Sequence, residues 1–364
     1  MKKLLFVISA ALMIVACAPQ NGFTLKGKFT SDNAELLNGP IYLISRAGVA
    51  DTAEMVNGEF SFAGELAEPT DYYLLVGSER LPLFLENAKY TVNADLSNLR
   101  KAKIEGGETQ TLLNKMQAIA EEVQAGYNLD SLAQAFNMAK TPEEREQIYA
   151  VFQAVNDEID ARKKELIENN KDSYFAFREF SSEFTYIDYE KARATYEYYA
   201  AIPKFQNLSL MARIKEHLDR LENLQVGKQA PDFTMNDPDG KPITFSDIYK
   251  KNKVTMLDFW AGWCGPCRQF NPTLVEIYNE YHAKGFEVLG VSLDSNRKQW
   301  LDAIKADKLT WPQVSELKQW DTEVAKTYGV RYIPQNLFVD QNGVIIARVL
   351  SEDAIVDFLN EQLQ

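Results

Sequence analysis

Cysteine and histidine are scarce in this 364-residue chain, which has three cysteines and two histidines: Cys17, Cys264, Cys267, His217 and His282. A structural zinc site usually requires four nitrogen or sulfur ligands. Cys264 and Cys267 supply two of these, no second cysteine pair accompanies them, and we expect Cys17 to be consumed by another reaction. The composition therefore disfavours a metal centre.

Positive charge is also in deficit. The 39 lysines and arginines are outnumbered by 52 aspartates and glutamates, which gives a formal net charge of −13. A surface this negative repels phosphate backbones, so we expect no nucleic-acid partner. Long apolar runs are missing too, because no segment after the first 16 residues is apolar for long enough to span a membrane.

The N-terminus does contain an apolar run, and its sequence is MKKLLFVISAALMIVAC. Lys2 and Lys3 precede an apolar run from Leu4 to Ala16, which is short for a membrane span and typical of a secretory signal. The run ends at Cys17 in the sequence IVAC, which resembles the bacterial lipobox. This resemblance implies cleavage before Cys17 and attachment of a diacylglycerol to its sulfur, whose acyl chains would hold the protein to a bilayer. The alternative is an ordinary signal peptide in which Cys17 is incidental.

Local patterns divide the chain into four segments, so we predict a multidomain protein. Residues 1–16 are the predicted signal peptide. Apolar and polar residues alternate over residues 17–107, which predicts a small antiparallel β-sandwich. Glycine and proline become scarce over residues 108–225, where we expect a helical linker domain. Residues 226–364 alternate strands with helices, which predicts an α/β domain with a sheet covered by helices.

Two local signals make specific predictions. The dipeptide Asn57-Gly58 lies between two predicted strands and favours the left-handed angles of a type I′ hairpin turn. The stretch TPEE at residues 141–144 predicts a helix start, with a hydroxyl cap, proline at the first position and acids near the positive end of the helix dipole. Aromatic residues also crowd residues 174–199. They form either a ligand groove or the core of a helical layer, and core is the commoner outcome.

The stretch DFWAGWCGPCRQF, residues 258–270, carries the chemistry. An apolar strand leads to Cys264, and Gly265-Pro266 is a tight entry into a helix. At a helix N-terminus the dipole and the free N–H groups favour a thiolate. Cys267 lies one helical turn on, so the pair can close a disulfide with little rearrangement. Cysteine is also a common buried residue, but packing explains neither the spacing nor the glycine and proline between the pair.

This stretch strongly resembles the active-site segment of thioredoxins. The resemblance continues at YGVRYIPQNLFVD, where Ile333-Pro334 matches the family's cis-proline. Upstream, VGKQAPDFTMNDPDGKPITFSDI resembles the entry segment of the ResA/TlpA-like lipoprotein and periplasmic branch. The strand pattern at the front of the chain resembles a small β-domain of unknown function that precedes thioredoxin domains in some Gram-negative lipoproteins. A thioredoxin fold is therefore expected for residues 226–364.

The resemblance implies a role for each matching residue. Cys264 would be the attacking thiolate and Cys267 the resolving thiol of a redox-active disulfide, with no other cofactor. Asp258 matches the family's buried acid, and desolvation in an apolar strand should raise its pKa so that it relays a proton for Cys267. Three further residues would form the groove for an extended substrate segment: Trp263, Ile333 and Pro334.

These features predict a lipid-anchored thiol-disulfide oxidoreductase of the cell envelope, on the periplasmic face of the outer membrane. The Gly-Pro dipeptide between the cysteines carries no cation to stabilise a thiolate, which favours a reductant of protein disulfides over an oxidant or isomerase. An exported reductant needs fresh electrons. We therefore expect two kinds of partner, disulfide-containing extracytoplasmic proteins and a membrane-embedded thiol carrier.

Two other functions fit parts of the sequence. A thiol peroxidase shares the broader fold, but the peroxiredoxin pattern Pro-x-x-x-Thr-x-x-Cys would place its proline and threonine at Leu257 and Ala261. A surface or periplasmic binding lipoprotein would use the N-terminal domains. Such a scaffold has no need for the acid, the dithiol and the proline together.

Overall fold

The computed structural model describes residues 22–46 and 48–363. The chain divides between Ser182 and Glu183 into two compact units. The multidomain layout is confirmed, since a strand-rich region, a helical middle and a C-terminal α/β domain follow one another along the chain. The predicted signal peptide and the predicted lipid attachment site, Cys17, lie outside the described residues.

Eight strands build the N-terminal region: β1 (Phe23–Thr30), β2 (Gly39–Ser45), β3 (Gly48–Met55), β4 (Glu59–Gly64), β5 (Thr70–Val76), β6 (Glu79–Leu85), β7 (Lys89–Asp95) and β8 (Lys103–Glu105). They form two sheets with the strand orders β4-β1-β7-β8 and β3-β2-β5-β6. Among the described strands of this region, β1 and β7 are parallel and the other pairs are antiparallel. The inward-facing residues form one apolar core that includes Leu25, Ile41 and Val92.

The predicted type I′ turn at Asn57-Gly58 is confirmed. The two residues have φ angles of 51° and 81°, and Val56 and Glu59 exchange backbone hydrogen bonds of 2.9 and 3.0 Å across the turn. The flanking strands β3 and β4 do not continue as a ladder, because β3 pairs with β2 and β4 pairs with β1. The turn therefore carries the chain from one sheet to the other, and a Cβ at Gly58 would lie 2.2 Å from the carbonyl oxygen of Phe29.

Six helices follow: α1 (Glu108–Ala125), α2 (Leu129–Met138), α3 (Pro142–Glu168), α4 (Tyr174–Glu183), α5 (Tyr189–Ala200) and α6 (Ser209–Glu222). The predicted start of α3 is confirmed as a capping box between Thr141 and Glu144. Phe177, Phe180 and Tyr199 are buried, so these members of the aromatic cluster contribute to the core. Helices α5 and α6 belong to the same compact unit as the C-terminal domain.

The C-terminal domain contains seven strands and five helices: β9 (Thr234–Asn236), β10 (Pro242–Thr244), α7 (Phe245–Tyr249), β11 (Val254–Trp260), α8 (Gly265–Tyr281), β12 (Phe286–Ser292), α9 (Arg297–Asp307), β13 (Gln313–Ser315), α10 (Glu323–Thr327), β14 (Gln335–Asp340), β15 (Ile345–Arg348) and α11 (Glu352–Gln362). Its main sheet has the order β13-β12-β11-β14-β15. Strands β11, β12 and β13 are parallel, whereas β14 and β15 run antiparallel to their neighbours.

The central strand β11 fixes the position of the site. All seven of its residues are buried, which is expected for a strand covered on both faces. Phe259 near its carboxyl end lies opposite Gln335, the first residue of β14. The loop that leaves β11 and the loop that enters β14 therefore meet at the same edge of the sheet. Within residues 22–46 and 48–363, no helix is both long enough and apolar enough to cross a membrane.

Candidate active site

Cys264 and Cys267 lie at the start of α8 and are joined by a disulfide bond. Their Cα atoms are 5.3 Å apart. Cys264 is the N-cap residue of this helix, and its Sγ accepts a hydrogen bond of 3.1 Å from the backbone N–H of Cys267. Pro266 occupies the first turn, where its missing N–H leaves no intrahelical bond unmade. A thiolate at Cys264 would thus have a backbone donor and the positive end of a helix dipole beside it.

The sulfur of Cys264 is close to the loop that enters β14. Its Sγ lies 3.8 Å from the carbonyl oxygen of Ile333, and the peptide bond between Ile333 and Pro334 is cis. Cys264 itself is 4% exposed, so only a narrow opening reaches it. Trp263 beside it is 41% exposed and lies 6.3 Å, ring centre to ring centre, from the 43% exposed Trp320. The structure therefore brings Trp263, Ile333 and Pro334 to the mouth of the dithiol.

The loop before Cys264 is held on both sides of Gly262. The backbone N–H of Gly262 donates to the carboxylate of Asp294 at 2.8 Å, and its carbonyl oxygen accepts from the guanidinium of Arg268 at 3.1 Å. The same carboxylate oxygen of Asp294 accepts from the Ser292 hydroxyl at 2.8 Å. Arg268 is anchored in turn by two hydrogen bonds to Asp307. These contacts fix the backbone that delivers the cysteine.

Asp258 lies in the middle of the buried strand β11 and is 2% exposed. Desolvation by burial raises the pKa of its carboxyl to about 7. Its neighbours across the sheet are Gly290 on β12 and Asn336 on β14. The Asn336 side chain is occupied by two hydrogen bonds of 2.8 Å to the backbone of Leu350. Asp258 is therefore a buried acid that changes protonation near neutral pH. It lies one strand away from the loop that enters β14 and contains Pro334, which we call the proline loop.

Sequence reasoning missed Asp294 and Trp320. Asp294 follows the carboxyl end of β12, and parallel strands bring their carboxyl ends to one edge, so its position beyond an apolar strand was a usable signal. Trp320 lies in a short 3₁₀ turn, residues 319–321, and no periodic pattern connects it with Trp263. Its contact with Trp263 depends on the tertiary fold alone.

Comparison with known proteins agrees with this geometry. Residues 226–348 match the AhpC/TSA family, and residues 23–113 match the domain of unknown function DUF4369. The thiol-disulfide oxidoreductase ResA of Bacillus cereus (strain ATCC 10987 / NRS 248) is 31% identical over 136 residues, which cover 37% of this chain and 76% of the relative. The ResA of Bacillus thuringiensis subsp. konkukian (strain 97-27) is 32% identical over 131 residues, which cover 36% of this chain and 73% of the relative.

Among solved structures, a thiol-disulfide oxidoreductase from Bacteroides fragilis NCTC 9343 is 36% identical. The match covers 37% of this chain and 98% of that chain, with a TM-score of 0.35.

A sheet of this order, with Cys-x-x-Cys at the start of the helix after its central strand and a cis-proline opposite, defines a thioredoxin-like protein. The relatives identify the family within this class. The chain belongs to the ResA family of thiol-disulfide oxidoreductases, and its C-terminal domain has thiol-disulfide oxidoreductase activity of the ResA and thioredoxin type.

Proposed function

We propose that this protein reduces disulfide bonds of proteins outside the cytoplasm while a lipid on Cys17 holds it to a membrane. The position of Cys264 is the observation that carries the proposal. Its sulfur caps α8, is bonded to Cys267 and lies beside the carbonyl oxygen of Ile333. A sulfur at a helix N-terminus forms a thiolate readily, and the second sulfur one turn away can release the product.

The proposed cycle starts from the reduced dithiol. The Cys264 thiolate attacks one sulfur of a substrate disulfide, so a mixed disulfide forms and the first substrate sulfur leaves as a thiolate. Cys267 then attacks the Cys264 sulfur, which releases the second substrate sulfur and closes the Cys264–Cys267 bond. The protein loses two electrons and the substrate gains them, and the substrate sulfurs leave as thiolates that take up protons from the solvent. A thiol carrier in the membrane returns the protein to the dithiol form.

Asp258 is proposed to handle the proton of Cys267. A base works best when its pKa is near the working pH, and burial raises the pKa of Asp258 to about 7. As Cys267 attacks the mixed disulfide, the carboxylate takes up its proton. When the membrane carrier reduces the disulfide again, the same group returns the proton to the sulfur.

The substrate is proposed to lie as an extended segment across Pro334. Trp263 is exposed beside Cys264 and Ile333 is half-buried on the other side, so together they offer apolar walls to such a segment. The carbonyl oxygen of Ile333 is 3.8 Å from the sulfur of Cys264. A substrate cysteine that contacts this wall is therefore within reach of the attacking sulfur.

The direction of the reaction is proposed from the residues between the cysteines. Gly265 and Pro266 bring no positive charge, so the thiolate is stabilised by the helix and not by a neighbouring cation. Dithiols of this type work as reductants near about −270 mV, whereas strong oxidants lie near about −120 mV. The proposed location is the periplasmic face of the outer membrane, on the basis of the signal sequence and the lipobox-like residues around Cys17.

A trapping experiment tests the activity. With Cys267→Ala, the mixed disulfide on Cys264 cannot be resolved, so substrate proteins should be captured in a form that dithiothreitol releases. Cys264→Ala is the matched control and should capture none. The wild-type protein should also reduce insulin, with an equilibrium potential well below that of glutathione. An inert wild-type dithiol or an oxidising potential would remove the reductase proposal.

The proposed anchor is tested separately in cells. Cys17→Ala should move the protein from the membrane fraction to the soluble fraction and abolish metabolic labelling with a fatty acid. Labelling that persists in Cys17→Ala would contradict the anchor without bearing on the dithiol.

A further inference from the structure

Four residues beside the proline loop form a surface that the proposed cycle does not use. We name it the tyrosine–arginine subsite, and its members are Tyr186, Arg331, Tyr332 and Arg348. All four belong to the second compact unit. Tyr186 lies in the turn between α4 and α5, Arg331 and Tyr332 lie in the loop that enters β14, and Arg348 ends β15.

The two tyrosines bring the turn before α5 to the active site. The rings of Tyr186 and Tyr332 stack with centres 5.0 Å apart and an angle of 29° between their planes. Tyr186 is nevertheless 65% exposed, so most of its ring is open to a ligand. Tyr332 directly precedes Ile333, whose carbonyl oxygen is 3.8 Å from the sulfur of Cys264. The stacked pair is thus one residue away from the group that contacts the attacking cysteine.

The two arginines add positive charge that no described residue balances. Arg331 is exposed and Arg348 is half-buried. Neither forms an ion pair or a hydrogen bond with another residue in the described part of the chain. Burial lowers the pKa of the Arg348 guanidinium, and the Tyr332 phenol is the group that opposes this effect, which places the two side chains near each other. A half-buried arginine without an anion is costly, so this surface is complementary to a negative charge.

The buried side chain of His217 is also affected by the positive charges of Arg331 and Arg348. Burial lowers the pKa of its imidazole to about 4, and the positive charges of Arg331, Arg220 and Arg348 lower it further in that order. Arg220 is paired with Glu216 at 2.9 Å, which leaves Arg331 and Arg348 as the uncompensated cations. In a chain with a net charge of −13, such a local excess of positive charge is a specific feature of this surface.

We propose that the tyrosine–arginine subsite binds an acidic side chain of the substrate protein, within an extended segment that also carries the substrate's disulfide. The proposal rests on the proposed reductase function and specifies its substrate class. Consecutive Cα atoms are about 3.8 Å apart, so Arg331 is at most about 8 Å from Ile333. The acid is therefore expected within about two or three residues of the substrate cysteine. The tyrosine rings provide rigid contact area for the backbone of this segment.

The test compares three disulfide-bonded peptides that differ only in one residue, two positions from the attacked cysteine: Glu, Gln or Lys. The full reduced chain reduces each peptide in single turnover, and kcat/KM is measured at two salt concentrations. The wild-type protein should prefer Glu over Gln by about fivefold, with Lys the slowest, and the preference should shrink at high salt. The difference should lie in KM and not in kcat.

Variants identify the residues responsible. Arg331→Glu should invert the order and favour the Lys peptide, and it should fold normally because Arg331 is exposed. Arg348→Lys should keep the preference for Glu, whereas Arg348→Gln should weaken it. Tyr186→Ala should raise KM for all three peptides. Arg213→Glu is the matched control, because Arg213 is an exposed arginine of the same unit on α6, and it should leave the order unchanged.

The possible failures are distinguishable. If the wild-type protein reduces all three peptides equally well, or if Arg331→Glu retains the preference of the wild type, the subsite proposal is wrong and the reductase proposal stands. If the wild-type protein reduces none of them, the reductase proposal fails and the subsite proposal fails with it.

Discussion

The carboxylate of Asp294 accepts a hydrogen bond of 2.8 Å from the backbone N–H of Gly262, two residues before Cys264. The two residues come from the ends of neighbouring parallel strands and meet at the edge of the sheet where the dithiol lies. Both are buried, so water cannot replace the bond if the carboxylate is removed. This contact explains how a short loop holds the cysteine in one place.

Asp294→Ala is therefore expected to destabilise the second unit and to slow disulfide exchange. The change leaves the N–H of Gly262 and the hydroxyl of Ser292 without an acceptor, and each unsatisfied buried group costs about 1–3 kcal/mol. All five tryptophans of the chain lie in this unit, so the loss is measured by urea unfolding followed by tryptophan fluorescence. Exchange is followed by single-turnover reduction of a peptide disulfide.

Two variants serve as controls for Asp294→Ala. Asp294→Asn keeps an oxygen acceptor and should recover most of the lost stability. Asp302→Ala removes an exposed carboxylate from an ion pair on α9 and should change stability by less than about 0.5 kcal/mol. Equal losses in Asp294→Ala and Asp302→Ala would show that the loop does not depend on the buried bond.

The sequence was most informative where a local rule decides the structure. The Asn57-Gly58 turn and the Thr141 cap depend on a few adjacent residues, and both are confirmed. The pairing of β3 and β4 with different neighbours depends on the whole sandwich, and the local signal for a hairpin did not predict it. Like the turn and the cap, the Cys-x-x-Cys spacing is a local signal, and it predicted the dithiol at the start of a helix.

The surroundings of the dithiol were harder to predict because they come from distant parts of the chain. Tyr186 and Tyr332 are separated by 146 positions in the numbering and stack only because α5 and α6 share a unit with the C-terminal domain. Periodicity assigned the aromatic cluster near Tyr186 to the core, which is correct for Phe177, Phe180 and Tyr199 but not for Tyr186, whose ring is 65% exposed.

Asp258→Asn is expected to stabilise the second unit at high pH and to slow the release of product. The pKa of Asp258 is about 7 in the folded protein and 3.8 as its ordinary value. A raised pKa means that the folded protein favours the protonated carboxyl. The contribution of Asp258 to the free energy of unfolding is therefore complete below pH 3.8 and is lost as pH rises through 7. Above pH 7 the buried charge costs about 4 kcal/mol, which the neutral amide avoids.

The measurement for Asp258 is urea unfolding at pH 5 and pH 8. The variant should be more stable than the wild type at both values, and its advantage should be larger at pH 8 than at pH 5 by about 3 kcal/mol. Asp239→Asn, at an exposed position of the same domain, is the matched control. If Asp258→Asn were as active as the wild type at every pH, the proposed proton transfer would have to involve another group.

His217→Leu is expected to remove an acid sensitivity of the same unit. Burial and neighbouring arginines lower the pKa of His217 from 6.5 to about 4, and its Nδ1 has no hydrogen-bond partner among the described residues. Between pH 6.5 and pH 4 the unfolded chain takes up a proton that the folded chain refuses, so the wild type loses stability as pH falls. The full effect is about 3 kcal/mol.

The difference in unfolding free energy between His217→Leu and the wild type should therefore grow in favour of the variant from pH 7 to pH 4. His282→Gln changes the other histidine, whose side chain is 49% exposed, and is the matched control. Taking differences at each pH also removes the opposing contribution of Asp258, which is common to both proteins. A constant difference for His217→Leu would mean that the imidazole takes up its proton over the same pH range in the folded and the unfolded chain.

Trp320→Ala is expected to weaken the use of protein substrates without affecting small disulfides. Trp320 and Trp263 form an exposed aromatic pair beside Cys264, and exposed rings of this kind supply contact area to a partner and not to the core. Removing one ring should raise KM for insulin by about threefold to tenfold and leave the unfolding free energy within about 0.5 kcal/mol.

The choice of substrates separates binding from chemistry for Trp320. A small disulfide such as oxidised glutathione reaches Cys264 without covering Trp320, so Trp320→Ala should react with it at the wild-type rate. Trp320→Phe retains an aromatic ring and should restore most of the affinity for insulin. If both substrates slowed equally, Trp320 would act by positioning the loop of Trp263, since a loss of contact with the partner affects only the larger substrate.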